Sequence, residues 1–203
     1  MKKTTIFIAI LSTFFVVLLI FTYASGIQND ISRQVLRLHI VANSNTDYDQ
    51  QLKYAVRNRI ANETRELFAN SQSIEETKQI ASDNIDLLQA IAQSEIMEHG
   101  FNYNVIVTIT SHVFPATVYG DILFPAGRYD ALKIVIENGD GNNWWCVLFP
   151  PLCFIDGVNF EFSTESQEIL RENLSEHDYA LITGTNPNNT PIQLRFRILD
   201  LFR

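Results

Sequence analysis

An uncharged apolar run near the N-terminus is the first feature of the hydropathy pattern. Residues 6–23 carry no charge, and Lys2 and Lys3 precede them. This charge placement is typical of a leader whose downstream part is carried across a membrane. The run of 18 residues lies between the length of a long signal sequence and that of a short membrane span. Small side chains at 24–26 suit signal peptidase, so both a cleaved signal peptide and a retained anchor fit residues 1–26.

The segment after this run alternates between two sets of side chains. Residues 34–43 read QVLRLHIVAN, and their period of two predicts a strand. One face of the strand would be wholly apolar and should point at the core, and it consists of Leu36, Leu38, Ile40 and Ala42. Arg37 and His39 would share the opposite face.

Two helices are predicted next, because apolar positions recur every three or four residues. The first begins at Asp47, which forms a loose capping box with Gln50, and runs to about Ala69. A capping box at Ser73–Glu76 opens the second helix, and Gly100 follows its end. The inward-facing residues of the second helix would be Ile80, Leu87, Leu88 and Ile91.

From residue 102 onward the pattern has the period of two that strands show. The predicted strands are residues 102–110, 117–124, 129–137 and 143–149. Asn138–Asn142 contains two glycines and favours a hairpin loop, so the last strand would return beside the strand before it. Pro150 and Pro151 should end the last strand, because proline has no N–H to give to the ladder.

The C-terminal part predicts a helix over 163–174, a loop over 183–191, and a strand or amphipathic helix over 192–198. A strand, two helices and a run of antiparallel strands is the order of an α+β fold. A chain of 203 residues suits one domain with a sizeable core. We therefore expect a signal peptide or membrane anchor over 1–26, and a single extracytoplasmic α+β domain with a mainly antiparallel sheet over 27–203.

Charge and candidate chemistry restrict the function. The chain has 15 Lys and Arg against 23 Asp and Glu, a net charge of −8, which argues against non-specific nucleic-acid binding. The sequence has no H-E-x-x-H motif, no G-x-S-x-G motif and no Gly-rich phosphate loop, and its four histidines are scattered. We predict no metal and no cofactor. His112 and Asp121 could form a hydrolytic pair, but an exposed or hydrogen-bonded histidine without a catalytic role is the simpler interpretation.

Residues 141–154, GNNWWCVLFPPLCF, are chemically unusual. Trp144 and Trp145 are adjacent, so on a strand they point to opposite faces and cannot both enter one core. Cys146 and Cys153 allow three interpretations, which are a disulfide across the proline pair, two buried thiols, or a reactive thiol. An exported location permits the disulfide.

Two segments carry a family resemblance. LHIVANSNTDYDQQLKYAVRNRI at 38–60 and YGDILFPAGRYDALKIVIENGDGNNWWCVLFPPLCFIDG at 119–157 strongly resemble stage II sporulation protein R of endospore-forming bacteria. The order of leader, paired helices and motifs matches over about residues 1–157, whereas the tail matches loosely. Glu137 and Asn138 stand where the family pattern is expected to have a glycine, a departure confined to a loop.

The resemblance implies a signalling protein rather than an enzyme. Such proteins are made in the forespore and exported into the space between the two membranes of the sporangium. There they trigger a membrane-embedded aspartic protease of the mother cell, which processes an inactive sigma factor precursor. The alternative is an extracytoplasmic hydrolase acting on the cell wall, for which Asp121, Asp130 and Asp156 are candidate carboxylates.

We expect receptor contacts in the unusual segment, because tryptophan is enriched at the energetic centres of interfaces. The predicted contact residues are Asn143, Trp144, Trp145, Phe149 and Pro150, with Asn43 and Ser44 as a second patch. The expected partner is the membrane-embedded protease. We expect no nucleic acid partner, and membrane contact only through residues 6–23.

Overall fold

The computed structural model describes residues 2–68, 71, 73–150 and 164–184. The helices in this part of the chain are α1 (Lys2–Ser32), α2 (Asp47–Leu67), α3 (Ile74–Asp83), α4 (Ile85–Glu98), α5 (Thr164–Asn173) and α6 (Glu176–Thr183). The strands are β1 (Leu36–Val41), β2 (Val105–Phe114), β3 (Thr117–Tyr119), β4 (Ile122–Phe124), β5 (Gly127–Ile136) and β6 (Asn143–Phe149).

Four strands form the main sheet, in the order β2–β5–β1–β6. β1 is parallel to β5 and antiparallel to β6, and β2 is antiparallel to β5. The α+β fold with a mainly antiparallel sheet is therefore confirmed. The helix α2 lies on the face that carries Ile40 and Trp144, because Tyr54 of α2 contacts Trp144. The small sheet β3–β4 lies against the opposite face, where its Tyr119 bonds to Arg37.

The predicted hairpin between residues 129–137 and 143–149 was wrong. Both strands exist, but β1 lies between them, so β6 pairs with β1 and not with β5. The loop between β5 and β6 crosses over the C-terminal end of β1 and forms hydrogen bonds to the residues that follow β1. Asp140 N donates to Asn43 O at 3.1 Å, and Gly141 N donates to Ala42 O at 2.9 Å.

β1 is buried on both faces. Its apolar face points at the core as predicted, but Arg37 and His39 on the opposite face are only 0% and 2% exposed. The physical reason is the central position of β1, together with the cover that β3 and β4 provide. Residues 117–124, predicted as one strand, form these two strands with a tight turn between them, where Gly120 has a φ of 54°.

The helical region follows the predicted pattern with three corrections. The N-cap of α2 is Thr46 and not Asp47, since Thr46 Oγ1 accepts a hydrogen bond from Asp49 N. The Ser73 cap of α3 is confirmed. The predicted second helix is broken at Asn84, whose side-chain Nδ2 donates to Ile80 O at 2.8 Å and so competes with the helical backbone. This break leaves Leu87 on the surface, 51% exposed, contrary to its predicted inward position.

The C-terminal helix α5 confirms the helix predicted over 163–174. α6 was not predicted. Its N-cap Ser175 accepts from Asp178 N, and Gln34 donates to Asp178 Oδ2 at 3.0 Å, which ties α6 to the segment before β1. Residues 151–163 and 185–203, which include Pro151, Cys153, Asp156 and the predicted strand over 192–198, lie outside the described residues.

α1 is long and apolar enough to cross a membrane, and within the described part of the chain it alone meets that test. It fits a signal peptide or a transmembrane segment. The helix continues past residue 26, and its last turns belong to the domain. Ile31 is 1% exposed, and Gln28 Nε2 donates to Arg128 O at 3.4 Å. The division of the chain after residue 26 stays a prediction.

Truncation of Ile31 should separate the domain-bound end of α1 from its apolar run. Ile31→Ala removes a buried side chain and should lower the free energy of unfolding by about 2–5 kcal/mol. Ile20→Ala makes the same change on the same helix where the side chain is 63% exposed, and it should leave the unfolding of the domain nearly unchanged. Denaturant unfolding of both full-length variants in detergent measures the difference. Equal losses would contradict the docking of Ile31.

Candidate functional site

β6 holds the two tryptophans on opposite faces of the sheet, as predicted. In the register with β1, Trp145 stands opposite His39 and Trp144 stands opposite Ile40. Each tryptophan is half-buried. Because β6 is an edge strand of the main sheet, both indole rings lie beside the border of the sheet rather than at its centre.

Trp145 belongs to an aromatic layer on the β3–β4 side of the sheet. Its ring stacks on His39 with a centroid distance of 3.8 Å, and the His112 ring lies 4.7 Å from His39. Phe114 meets Trp145 edge-on at 4.6 Å. The rings of β2 can reach those of β1 because the small Ala131 of the intervening β5 lies between the two strands.

A buried arginine organises this layer. Arg37 is fully buried, and its guanidinium lies 4.6 Å from the ring centroid of Phe114 and 5.1 Å from that of Tyr129. Its Nε donates to Cys146 O at 3.1 Å, and its Nη2 donates to Tyr119 Oη at 3.1 Å. Burial lowers the pKa of Arg37, an effect that the neighbouring tyrosines oppose.

Tyr119 links Arg37 to β6 through hydrogen bonds. Its hydroxyl accepts from Arg37 and donates to Trp145 O at 2.8 Å. The carbonyls of Trp145 and Cys146 are therefore both held by bonds that start at Arg37. The orientation of Trp145 depends on these bonds as well as on the pairing with β1.

His39 completes the layer as a neutral base. Its Nε2 lies 2.7 Å from Asn143 Oδ1, which requires the Nε2–H tautomer, and its Nδ1 is buried without a hydrogen-bond partner in the structure. Burial lowers the pKa of His39 to about 4, although the bond to Asn143 raises it, and His112 and Lys133 lower it further. The ring is uncharged at neutral pH and packs as an aromatic side chain.

Trp144 lies on the other face, against α2. Tyr54 meets its ring edge-on at 5.4 Å, and the Arg57 guanidinium lies over it at 4.4 Å. Nε1 of Trp144 is buried and has no hydrogen-bond partner in the structure. Tyr54 and Arg57 were not among the predicted contact residues. Their spacing of three residues places them on one face of a helix, but it does not say that β6 lies beside that face.

The second predicted patch, Asn43 and Ser44, lies next to the first. Both side chains donate to Asp49 Oδ2, and Asn43 Oδ1 accepts from Asn138 N at 3.3 Å. Burial would raise the pKa of Asp49, but the hydrogen bonds from Ser44 and Asn43 outweigh it and lower that pKa. The polar groups of this patch thus bind their own fold, and they fix the loop that precedes Asn143.

Gly141 is required where the two loops meet. A Cβ at this position would collide with the carbonyl oxygen of Ser44 and lie 2.8 Å from the Cβ of Ala42. The next residue, Asn142, donates its N–H to Asn45 Oδ1 at 2.7 Å. The absence of a side chain at Gly141 lets the backbones touch, and this contact joins two segments that are about a hundred residues apart.

The remaining predicted residues lie toward the interior. Phe149 and Pro150 are buried at the end of β6, opposite Leu36. Cys146 is buried opposite Leu38 and forms a disulfide bond. Because Cys153 lies outside the described residues, its pairing with Cys146 stays a prediction. Within the described ranges, no three His, Cys, Asp or Glu side chains are grouped as metal ligands would be.

Comparison with known proteins places the chain in a family. A family model described as stage II sporulation protein R matches residues 32–159. The chain belongs to the stage II sporulation protein R family. It is 41% identical over 138 residues to the stage II sporulation protein R of Bacillus subtilis (strain 168). The alignment covers 68% of this chain and 62% of that relative. No solved structure matches the chain.

The match to the stage II sporulation protein R family indicates a role in sporulation for this chain. The matched range contains both tryptophans, the two interlocked loops and all of α2, so the whole site lies within the family region. The apolar helix α1 lies mostly before the match and fits a signal peptide or a membrane segment.

Substitution of Gly141 should disrupt the contact between the two loops. Gly141→Ala introduces a methyl group into a closed backbone contact, and overpacking of this kind costs about 1–3 kcal/mol. Gly26→Ala is the matched control, since a Cβ there meets nothing within 4 Å. Thermal unfolding of the full chain should show a loss for Gly141→Ala only. A Gly141→Ala variant as stable as the wild type would refute the contact.

The pKa of His39 predicts a window of pH-dependent stability. The unfolded imidazole takes up a proton near its ordinary pKa of 6.5, whereas the folded one does so only near about 4. Stability should be full above pH 6.5 and should fall as the pH drops toward about 4. His112, whose pKa burial also lowers, contributes in the same direction.

His39→Gln should reduce this slope, measured as the midpoint of denaturant unfolding across the window. A slope in His39→Gln as steep as in the wild type would show that His39 does not titrate in this way.

Proposed function

We propose that this chain is exported from the forespore into the space between the two membranes of the sporangium. There it binds and triggers a membrane-embedded aspartic protease of the mother cell, which then processes an inactive sigma factor precursor. The match of residues 32–159 to the stage II sporulation protein R family carries this proposal. The chain covers only 62% of the Bacillus subtilis relative, so the partner and the mechanism are our inference for this chain.

The N-terminal helix supports the export step. α1 has the length and composition of a membrane-crossing helix, and Lys2 and Lys3 lie before its apolar run. Positive charges stay on the side of synthesis, so the domain after α1 would be delivered to the far side. The same polarity holds whether α1 is cleaved as a signal peptide or retained as an anchor.

Trigger function requires a binding surface that prefers the active form of the receptor, because a ligand with equal affinity for two forms shifts nothing. We propose that Asn143 and the two tryptophans provide this surface. Asn43 and Ser44 support it from below by holding the loop through Asp49. Phe149 and Pro150, which are buried, would act by anchoring the end of β6.

We propose that the domain acts by binding rather than by catalysis. A hydrolase needs a nucleophile, a metal or two carboxylates in one cleft. Of the candidates, His112 stacks on the rings of His39 and Trp145. Burial lowers its pKa, and the positive charges of Lys133 and Arg128 lower it further. This environment supports a packing role for His112.

Reconstitution in a bacterium that does not sporulate tests the proposal. The full chain is produced together with the candidate protease and a tagged sigma factor precursor, and processing is followed by immunoblot. We expect the precursor to be shortened only when the chain is present. A chain that lacks residues 2–23 should stay in the cytosol and should not stimulate processing.

Two results would count against this function. Failure of the exported, folded chain to stimulate processing would refute the trigger step. Equal stimulation by the chain without residues 2–23 would refute the export step. Release of fragments from purified cell wall by the chain would instead support the hydrolase alternative.

A further inference from the structure

Two cations of α2 lie near the start of β6, where Arg57 contacts Trp144 and Lys53 donates to Asn142 O. Within the described ranges, neither Lys53 nor Arg57 has an acidic side chain at ion-pair distance. Arg57 has five N–H donors, and its Nε and Nη2 both point at Asn58 Oδ1, at 3.0 and 2.7 Å. Its other donors have no partner among the hydrogen bonds of the described residues.

Lys53 makes the positive field stronger. Its side chain is buried, and its ammonium donates to Gln50 Oε1 at 2.6 Å and to Asn142 O at 3.1 Å. Both partners are neutral. Burial lowers the pKa of Lys53, and the nearby positive charge of Arg57 lowers it further because like charges repel. An anion next to them would relieve this repulsion.

Arg57 lies over two aromatic rings, one of which is open to solvent. The Arg57 guanidinium lies 4.4 Å from the Trp144 ring and 5.4 Å from the Tyr54 ring, and Tyr54 is 40% exposed. Tryptophan, tyrosine and arginine are the residue types that dominate the binding energy of interfaces. Here all three meet in one place, at the junction of α2 with the edge strand β6.

We propose that Tyr54, Arg57 and Trp144 form a docking site for a carboxylate-bearing segment of a protein partner. The planar fork of Arg57 would bind an aspartate or glutamate side chain, and the two rings would cover an apolar neighbour of that side chain. This proposal rests on the proposed function, in that the domain acts by binding a protein, and it adds the chemistry that the partner must show.

Charge complementarity selects this occupant. The chain as a whole carries a net charge of −8, so a nucleic acid or an anionic membrane would be repelled by most of its surface. A single carboxylate on a protein segment needs only the local field of Lys53 and Arg57. Guanidinium binds carboxylate with two parallel hydrogen bonds, which gives direction as well as affinity.

A carboxylate introduced within the chain would compete with the partner for Arg57, and it tests the site without removing a packed side chain. Asn58→Asp turns the amide that already accepts from Arg57 into a carboxylate. The negative charge of this carboxylate would neutralise the guanidinium. Asn62→Asp is the matched control, because it makes the same change at an exposed position one turn further along α2. We expect Asn58→Asp to lower the count of heat-resistant spores about tenfold or more in the organism that encodes the chain. Asn62→Asp should stay within about twofold of the wild type.

Direct variants of Arg57 separate charge from packing. Arg57→Met keeps an unbranched side chain over the rings and removes the charge, whereas Arg57→Glu reverses it. Both variants should lower the count of heat-resistant spores. Arg57→Glu should lower it more, because its carboxylate would repel the carboxylate of the partner. Arg59→Glu is the charge-reversal control, since Arg59 is exposed and pairs with Glu63 at 3.3 Å. Thermal unfolding of each purified chain checks that it is folded.

Three outcomes would overturn the docking site. They are wild-type spore counts in a folded Arg57→Met or Asn58→Asp chain, equal losses in Arg57→Met and Arg57→Glu, and a change of oligomeric state in Arg57→Glu on size exclusion. The last would identify a second copy of the chain as the occupant. Spore counts do not depend on the identity of the receptor, so a wild-type chain that fails to stimulate the protease refutes the proposed function and leaves this site standing.

Discussion

The central position of β1 in the sheet is the constraint on which the rest of the structure depends. A strand with neighbours on both edges and cover on both faces has no solvent-facing side, so Arg37 and His39 must be accommodated in the interior. A buried guanidinium is costly unless its donors are used. Arg37 donates from Nε to Cys146 O and from Nη2 to Tyr119 Oη, and aromatic rings surround it, whereas its Nη1 is buried without a hydrogen-bond partner in the structure. The small β3–β4 sheet is therefore held in place by a charge, and the backbone of Trp145 is held with it.

The same insertion brings two distant segments together. Because β6 must pass around β1 to reach its far edge, the loop after β5 crosses the chain that leaves β1. Gly141 lets the two backbones touch, and Asp49 orders the side chains of Asn43 and Ser44 beneath them. The first residues of β6 are thus fixed by the loop contacts that precede them and by the hydrogen bond from Tyr119 to Trp145 O. These contacts present Trp144 and Trp145 at set positions.

Local signals in the sequence predicted the elements well and their partners poorly. The Ser73 cap, α5 and the strands β5 and β6 follow from side-chain patterns within a few residues, and these predictions were confirmed. The glycines of 138–142 favour a reversal of the chain, but they favour it equally whether the next strand lies beside β5 or one strand away. The burial of His39 and the contact of Arg57 with Trp144 depend on that choice. No pattern within α2 reveals which strand lies beside it.

The distribution of charge on the domain would favour one orientation of the domain on its receptor. Ionic screening leaves a field of opposite sign effective over about 8–10 Å at physiological salt. Over that range an acidic partner segment is repelled by the net negative charge of the chain and attracted at Lys53 and Arg57, which penalises incorrect orientations. The aromatic rings beneath the cations then contribute contact area that does not depend on salt. In this arrangement a few uncompensated positive charges on an acidic chain give specificity, and the tryptophans held by β1 and Arg37 give affinity.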